Sequence, residues 1–409
     1  MRAPAVRHWL PLVAGIAIGC ALGHAHAAPD EELLGKRAGY PVGTPTTWFS
    51  DEQVRVGSFS HLDSILPHNR LPRADVPRPL PAAATTPGYI YSGRTIDDFL
   101  ARRRITGLMV IKDGVVQVER YQYDRTPAHR LLSNSMAKSI TSIAVGMALA
   151  EGRIRSLDDH AAVYVPELAG APYGETPIRA LLRMASGVPF SERYDGADDL
   201  MKYLVLQYRE GTMAALRAFT TRDRAPGTRF QYASVETIVL GLVVRGATGQ
   251  TLSAYVTERL WQPMGAEADA TWIVDPGRVE YAWGNFNASL RDWGRLAMLL
   301  ADDGARDGKQ IIPRDYLLEA TDFRRHPAAF APRTATPYFG YGYQFWSYLT
   351  SARRFALLGV FGQSIFVDPQ LRLALVITAA QRDPVSVNDG FGEERDWLWR
   401  NLVNRYGSW

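Results

Sequence analysis

Ser135 and Lys138 stand three residues apart, at the start of a stretch in which Ile140, Ile143 and Met147 recur at helical spacing. Side chains at positions i and i+3 of a helix share a face, so the hydroxyl and the amine are predicted to lie side by side. The first amides of a helix lack helical acceptors and lie at the positive end of its dipole. The pair therefore predicts a serine nucleophile with an adjacent base and an oxyanion donor in its own N–H.

The same pair also has a purely structural interpretation. Serine is a favoured helix N-terminal residue, and lysine is common in helices. The spacing arises by chance in many chains of this length, although no other serine of the 409 residues is followed three positions later by lysine. On this pair alone, both interpretations stay open.

Two later stretches could complete such a site. Tyr232 and Ser234 lie in the loop before a predicted helix, where a buried tyrosine and a helix-capping serine would be the structural interpretation. Gly359 and Gly362 interrupt a strand pattern, which indicates either a plain bulge or a close backbone approach. A strand edge beside the nucleophile could offer a second N–H, from Gln363.

The elements that would position these residues are predicted to form an antiparallel sheet. Residues 107–121 hold two apolar runs around Asp113-Gly114, the strongest short hairpin signal. Strand patterns return at 354–378, and an amphipathic helix is predicted at 393–406. Strands do not alternate with helices, which disfavours a doubly wound parallel sheet. The fold class is therefore α/β of the α+β kind, with early and late strands in one sheet flanked by helices.

The chain divides into five predicted segments. Residues 1–27 are a signal peptide, and the proline-rich residues 28–88 are an N-terminal arm that wraps a domain. Residues 89–155 and 285–409 together form the α/β domain. Residues 156–284, mostly helical in pattern, are an inserted domain.

Export follows from the first segment. Arg2 and Arg7 precede an apolar run that is too short to span a membrane, and Ala27 ends a small-x-small cleavage site. We expect cleavage after Ala27 and a periplasmic or secreted protein. A lipoprotein anchored through Cys20 is the less favoured alternative. Cys20 is the only cysteine, so either route excludes a catalytic thiol and a zinc–cysteine site.

Charge and histidine patterns exclude several other classes. The net charge is +4 and falls to +2 when Arg2 and Arg7 are removed, with no basic block along the chain. Nucleic-acid binding therefore has no support. The histidines form no metal-binding spacing, so neither a metal nor another cofactor is expected. The expected partner is a small-molecule substrate.

In their order along the chain, the three stretches resemble the serine β-lactamase and penicillin-binding-protein superfamily. The nearest resemblance is to its class C-like branch of esterases and 6-aminohexanoate-dimer hydrolases, and it covers roughly residues 90 to 405. Each motif is weak, but the ordered set is specific. Supporting stretches are Leu181–Gly187, Pro226-Gly227, Arg291-Asp292, Phe339–Gln344 and Gly362-Gln363.

The resemblance implies a β-lactamase/transpeptidase-like fold and a role for each motif residue. Ser135 would be acylated, and Lys138, kept neutral by burial, would take the serine proton. Tyr232 would pass a proton to the leaving group and then help to activate water. The N–H groups of Ser135 and Gln363 would form the oxyanion hole.

Other residues carry weaker implications from the same resemblance. Ser234 and Gly362 belong to the second and third motifs, and Tyr194 lies in a stretch similar to a substrate-contacting loop of the oligomer hydrolases. They are candidate substrate-binding residues. Trp283, Phe286, Tyr343 and Trp346 would either line an apolar pocket or belong to the core.

Two departures from the motifs bear on the substrate. Val360 stands where β-lactamases have a lysine, and Ser234 stands where they have an asparagine. Both favour hydrolysis of a small amide or ester over β-lactam turnover. The alternatives left open are a cell-wall D-amino-acid peptidase, a β-lactamase-type enzyme and a non-catalytic penicillin-binding-like sensor.

Overall fold

The computed structural model describes residues 28–84, 88–91, 93–385 and 389–409. The predicted signal peptide and Cys20 lie outside the described residues. None of the helices within these ranges is both long enough and apolar enough to cross a bilayer.

The described residues form eleven α-helices and fifteen strands. The helices are α1 (Glu52–His61), α2 (Ile96–Arg102), α3 (Ala137–Ala150), α4 (Ile178–Leu182), α5 (Asp199–Glu210), α6 (Thr212–Arg217), α7 (Ser234–Thr248), α8 (Leu252–Val256), α9 (Leu290–Ala301), α10 (Arg314–Thr321) and α11 (Phe391–Tyr406). The strands are β1 (His68–Leu71), β2 (Ile90–Tyr91), β3 (Arg94–Thr95), β4 (Ile105–Lys112), β5 (Val115–Tyr121), β6 (Arg130–Leu132), β7 (Ala270–Ile273), β8 (Phe286–Ser289), β9 (Ala305–Arg306), β10 (Lys309–Gln310), β11 (Gly340–Tyr341), β12 (Trp346–Ser347), β13 (Phe355–Gly359), β14 (Gln363–Asp368) and β15 (Leu373–Ala379).

The main sheet has seven strands in the order β11-β12-β13-β14-β15-β4-β5, and every pair is antiparallel. Strands β4 and β5 precede the helical region, whereas the other five follow it. Asp113 and Gly114 both have positive φ, at 51° and 81°, as the predicted tight hairpin between β4 and β5 requires. The predicted fold class is confirmed.

Both faces of this sheet are covered, because side chains of a strand point alternately to its two sides. On β4, Met109 and Ile111 join a core with residues of α3 and α9. Leu108 and Val110 join a second core with residues of α2 and α11. Gly294 lets α9 approach β4, since a Cβ atom there would come within 2.7 Å of the Met109 sulfur.

A second sheet was not predicted. It has four antiparallel strands in the order β1-β7-β8-β6. Strand β6 ends at Leu132, immediately before the segment that carries Ser135. Each strand has only three or four residues, which is too short for a clear period-2 pattern in the sequence.

The predicted N-terminal arm contains more regular structure than its composition indicates. It holds α1, whose first turn is capped by the Asp51 carboxylate accepting from the Gln53 N–H, and β1. Val56, Phe59 and Leu62 form a third core that includes Phe361, in the segment between β13 and β14. The domain boundaries given above stay a prediction.

Candidate active site

Ser135 lies in a 3-10 turn, Asn134–Met136, that leads directly into α3. This turn is joined to strand β8 through Ser133, whose N–H donates to the Phe286 carbonyl at 2.8 Å. The Phe286 N–H donates in return to Ser133 Oγ at 3.1 Å. Hydrogen bonds to β8 of the second sheet therefore fix the chain immediately before Ser135.

Lys138 contacts Ser135 as its spacing predicts. Its Nζ donates to Ser135 Oγ at 2.8 Å and to the Trp283 carbonyl at 3.1 Å. The side chain is buried, and burial lowers the pKa of the amine to about 8, against an opposing effect of the Glu192 charge. The neutral amine, which can accept a proton, is therefore far more populated near neutral pH than in an ordinary lysine, although the ammonium is still the major form.

Tyr232 reaches the same point from the loop before α7. Its ring lies 4.9 Å from Lys138 Nζ and stacks on Trp346 at 5.7 Å. Burial and the Glu192 charge raise the pKa of the phenol, against an opposing effect of the nearby Ser135 hydroxyl. The phenol is therefore protonated at neutral pH and can act as a proton donor.

Glu192 is a site residue that the sequence analysis missed. Its carboxylate accepts hydrogen bonds from the Ser234 N–H and Ser234 Oγ, both at 2.8 Å, and from the Tyr194 hydroxyl at 2.5 Å. The sequence does place this acid two residues before the candidate Tyr194, which could have drawn attention to it. Nothing local, however, linked it to a helix that begins more than forty residues later.

The Glu192 carboxylate accepts the hydroxyl hydrogen bonds of two candidate substrate-binding residues, Ser234 and Tyr194. Ser234 is fully buried, and its hydroxyl is taken up by Glu192, so it positions that carboxylate instead of facing a substrate. Tyr194 does line the cleft, with its hydroxyl directed at Glu192.

The end of β13 reaches the nucleophile more closely than Gln363 does. A Cβ atom on Gly359 would come within 3.0 Å of the Ser135 nitrogen, so only glycine fits at this contact. Leu358, Gly359 and Val360 line the cleft together with Ser135. The Asn134 side chain donates to the Val360 carbonyl at 2.9 Å and joins the two segments.

The structure places Gln363 and Gly362 elsewhere than the sequence suggests. The Gln363 side chain is buried, donating to the Ala379 carbonyl at 2.7 Å and accepting from the Ala379 N–H at 3.0 Å. A Cβ on Gly362 would face Gln381 and Phe391. Neither residue belongs to the cleft lining, because the chain turns at Phe361 (φ 59°) before β14 begins.

The cleft has a volume of about 730 Å³ and is mostly apolar. Trp346 lies in its wall, whereas Phe286 and Tyr343 are fully buried core residues. The Trp283 carbonyl holds Lys138. The residues that line the cleft are Ser135, Glu192, Tyr194, Tyr232, Thr336, Tyr338, Phe339, Trp346, Leu358, Gly359, Val360, Pro384, Val385, Gly392, Glu393, Arg395, Asp396, Trp397 and Arg400.

No cluster of three or more histidine, aspartate or glutamate side chains suited to a metal ion occurs among the residues that the structure describes. The chemistry present is instead a hydroxyl hydrogen-bonded to an amine of lowered pKa, beside a phenol of raised pKa. This combination is suited to nucleophilic acyl transfer.

A comparison with known protein families agrees with this chemistry. The sequence model of the family described as Beta-lactamase matches residues 93–395. The chain belongs to the beta-lactamase family. It is accordingly a serine hydrolase of amide or ester bonds, and the alternative of a non-catalytic sensor is set aside.

Proteins similar to this chain include several that are named as hydrolases. A 6-aminohexanoate-dimer hydrolase of Paenarthrobacter ureafaciens is 26% identical over 357 residues, which is 85% of this chain and 91% of that protein. The structure named "Putative 6-aminohexanoate-dimer hydrolase from Bacillus anthracis" superposes with a TM-score of 0.78 at 22% identity, covering 88% of this chain and 96% of that one. The structure of the hydrolase EstCE1 superposes with a TM-score of 0.57 at 16% identity, covering 73% of this chain and 94% of that one. At these identities, the two solved structures support the fold alone.

Proposed function

We propose that the protein is an exported hydrolase that cleaves a small amide or ester through an acyl-enzyme on Ser135. The observation that carries this proposal is the meeting of Ser135, Lys138 and Tyr232 at one point of the cleft, although Tyr232 lies almost a hundred residues from the other two. The 6-aminohexanoate-dimer hydrolase relative indicates an amide as one substrate type.

In the first step, neutral Lys138 Nζ takes the proton of Ser135 as its Oγ attacks the substrate carbonyl carbon. A tetrahedral oxyanion forms and then collapses. Tyr232 donates its proton to the departing nitrogen or oxygen as the bond to carbon breaks, and it regains a proton from the Lys138 ammonium. Both residues are placed for these transfers, since Lys138 Nζ hydrogen-bonds to Ser135 Oγ and the Tyr232 ring lies 4.9 Å from that Nζ in the same cleft.

In the second step, water attacks the acyl carbon. Its proton passes to the Tyr232–Lys138 pair, and the Ser135 oxygen leaves with a proton, which regenerates the starting state. Lys138 returns to its neutral form because burial continues to disfavour the ammonium.

The oxyanion requires two N–H donors aimed at one point. Ser135 N is the first. We assign the second to Val360 in place of Gln363, since Val360 lines the cleft and follows Gly359, which contacts the Ser135 backbone.

The charges around the cleft favour an amide or ester without an α-carboxylate. Val360 provides no cation at the position where β-lactamases have a lysine. Arg395, which also lines the cleft, donates to Ser364 Oγ at 3.1 Å and pairs with Asp396 at 3.5 Å. This cation is already compensated and so gives little support to β-lactam or D-peptide recognition.

Covalent labelling tests the proposal. A fluorophosphonate, or an activated acyl ester followed by peptide mass spectrometry, should modify Ser135, and Ser135→Ala should remove both the label and turnover. Ser142→Ala is a matched control, because this buried helix serine bonds to Tyr316 and to the Tyr343 carbonyl, away from the cleft. Turnover that survives in Ser135→Ala would contradict the proposal.

Export is part of this proposal and rests on residues 1–27. Expression of the full chain followed by cell fractionation should give a mature protein beginning at Ala28 outside the cytoplasm. An intact N-terminus in the cytoplasmic fraction would contradict export without affecting the catalytic assignment.

A further inference from the structure

A row of aromatic rings leads from the catalytic tyrosine to the rim of the cleft. Tyr232 stacks on Trp346, Trp346 contacts Phe339, and Phe339 contacts Tyr338, with successive ring centroids 5.7, 5.8 and 4.6 Å apart. All four side chains line the cleft. One continuous apolar wall therefore connects Tyr232 with the exterior.

Helix α11 closes the outer end of this wall. Arg400 donates to the Tyr338 hydroxyl at 2.6 Å, which ties the last ring to the helix. Trp397, on the same helix face one turn earlier, also lines the cleft. Tyr338 and Trp397 keep 37% and 49% of their surface exposed, and two exposed large aromatics in the lining of one cleft indicate a ligand-binding surface.

The charged groups of the cleft are mostly engaged within the protein. Arg400 is held by Tyr338. Glu192 accepts from Ser234 and Tyr194. Glu393 is exposed in the first turn of α11, where the helix dipole favours a carboxylate. Apart from the Glu393 carboxylate, the surface left for a ligand is therefore mostly apolar and aromatic.

The starting point of the wall indicates which half of the substrate it contacts. Tyr232 is the group that protonates the leaving atom in the proposed mechanism, so the leaving group must lie against it. A chain extending from that atom along the aromatic row would run over Trp346 and Phe339 towards Tyr338 and Trp397. The acyl group, bonded to Ser135, is not required to follow this path.

We propose that this aromatic wall binds a bulky apolar or aromatic leaving group, so that the preferred substrates are amides or esters of arylalkyl amines or alcohols. The inference rests on the proposed function, because it takes Tyr232 as the acid. It goes further in stating which side of the scissile bond carries the large group. An apolar wall of this size discriminates such a group from a methyl by tenfold or more.

Two isomeric esters test this assignment. 2-Phenylethyl acetate carries the aromatic chain on its alcohol, and methyl 3-phenylpropanoate carries the same chain on its acyl group. Once normalised to alkaline hydrolysis, kcat/KM should be at least tenfold higher for 2-phenylethyl acetate. Trp397→Ala should reduce this preference several-fold, whereas Tyr208→Ala, which removes an exposed aromatic of α5 away from the cleft, should not change it.

Each other outcome is decisive. Equal rates, the reverse preference, or an equal loss for both isomers in Trp397→Ala would overturn the inference. So would failure to hydrolyse either ester when Ser135 is still labelled by a fluorophosphonate. Absence of labelling at Ser135 would instead overturn the proposed function itself.

Discussion

The two sides of the catalytic centre are built in different ways. On one side, Ser135 and Lys138 lie within a single turn and contact each other through a spacing of three residues. On the other side, the Gly359–Gly362 turn is supported by residues about 300 positions away in the N-terminal arm. The first side is therefore specified locally, and the second depends on packing across the whole chain.

The supporting contacts centre on Phe361, a non-glycine residue with a φ of 59°. Its ring packs on Phe49 and Phe59, with centroids 5.0 and 5.5 Å away, and the Arg55 guanidinium lies 4.4 Å above it. A left-handed conformation costs a bulky residue roughly 1–2 kcal/mol, so it persists only where packing fixes it.

Arg55 extends this support beyond the ring. It is buried on α1, and its Nη1 donates to the Gln381 carbonyl at 2.8 Å and to the Arg382 carbonyl at 3.1 Å. The Gln381 N–H donates in turn to the Phe361 carbonyl at 3.1 Å. The arm therefore contacts the turn that carries the Val360 amide in two ways. Its aromatic rings pack on Phe361, and Arg55 hydrogen-bonds to Gln381, whose N–H donates to Phe361.

The largest effect is expected on the locally built side. Lys138→Met preserves the length of the side chain and its packing against Tyr232 and Trp283 but removes the base, so kcat/KM should fall by about 10³-fold or more. The parent rate should rise with pH and level off above the Lys138 pKa of about 8, because only the neutral amine accepts the proton. Steady-state kinetics from pH 6 to 10 measure both effects.

The fold of Lys138→Met should survive, since the substitution removes a buried ionisable group without opening a cavity. A thermal melt checks this. Retention of kcat/KM within tenfold of the parent would show that another group takes the serine proton.

The next effect tests the backbone donor on the turn side. Val360→Pro deletes the N–H that we assign to the oxyanion hole. Gly359, at φ −135° and ψ 152°, already has the conformation that a residue before proline prefers. We expect kcat to fall by about 10²–10³-fold with a small change in KM. Val360→Ala, which keeps the N–H, is the control, and an equal loss in both variants would remove Val360 from this role.

The difference between the two sides also explains what the sequence could predict. The hairpin at Asp113, the late strands and the Ser135–Lys138 contact all follow from short-range patterns, and the structure contains each of them. Motif order brought Tyr232 to the site. The role of the Gln363 N–H in the oxyanion hole stays a prediction. The motif does not reveal the left-handed residue Phe361, which turns the chain before β14 and leaves Gln363 out of the cleft lining.

The contacts of Glu192, and those of the arm with the Phe361 turn, could not be predicted for a related physical reason. The Glu192–Ser234 contact joins a loop to the start of a helix, and the α1 contacts join residues about 300 apart. Such contacts have no period in the sequence, because they depend on how separately formed elements pack.

A smaller effect should come from the arm. Arg55→Met keeps apolar contact with the Phe361 ring but removes the hydrogen bonds to Gln381 and Arg382, so the turn should be held less precisely. We expect kcat to fall by roughly tenfold, with KM changed by less than about twofold. Arg37→Met, an exposed position of the same arm, is the matched control. A lower melting temperature at unchanged kcat would mean that the arm stabilises the fold without positioning the turn.

The smallest effect concerns the Glu192 charge, which acts on Lys138 and Tyr232. The Glu192 carboxylate raises the pKa of Lys138 and of Tyr232, because a nearby negative charge favours the ammonium and disfavours the phenolate. Glu192→Gln should therefore lower the Lys138 pKa and move the acid limb of the kcat/KM profile to lower pH, by less than about one unit. Asp195→Asn, in the same loop but paired with Arg193, should leave the limb in place. A shift to higher pH would show that Glu192 acts on the site through its hydrogen bonds to Ser234 and Tyr194 and not through its charge. An equal shift in both variants would show that the limb responds to the total charge of the loop and not to Glu192 in particular.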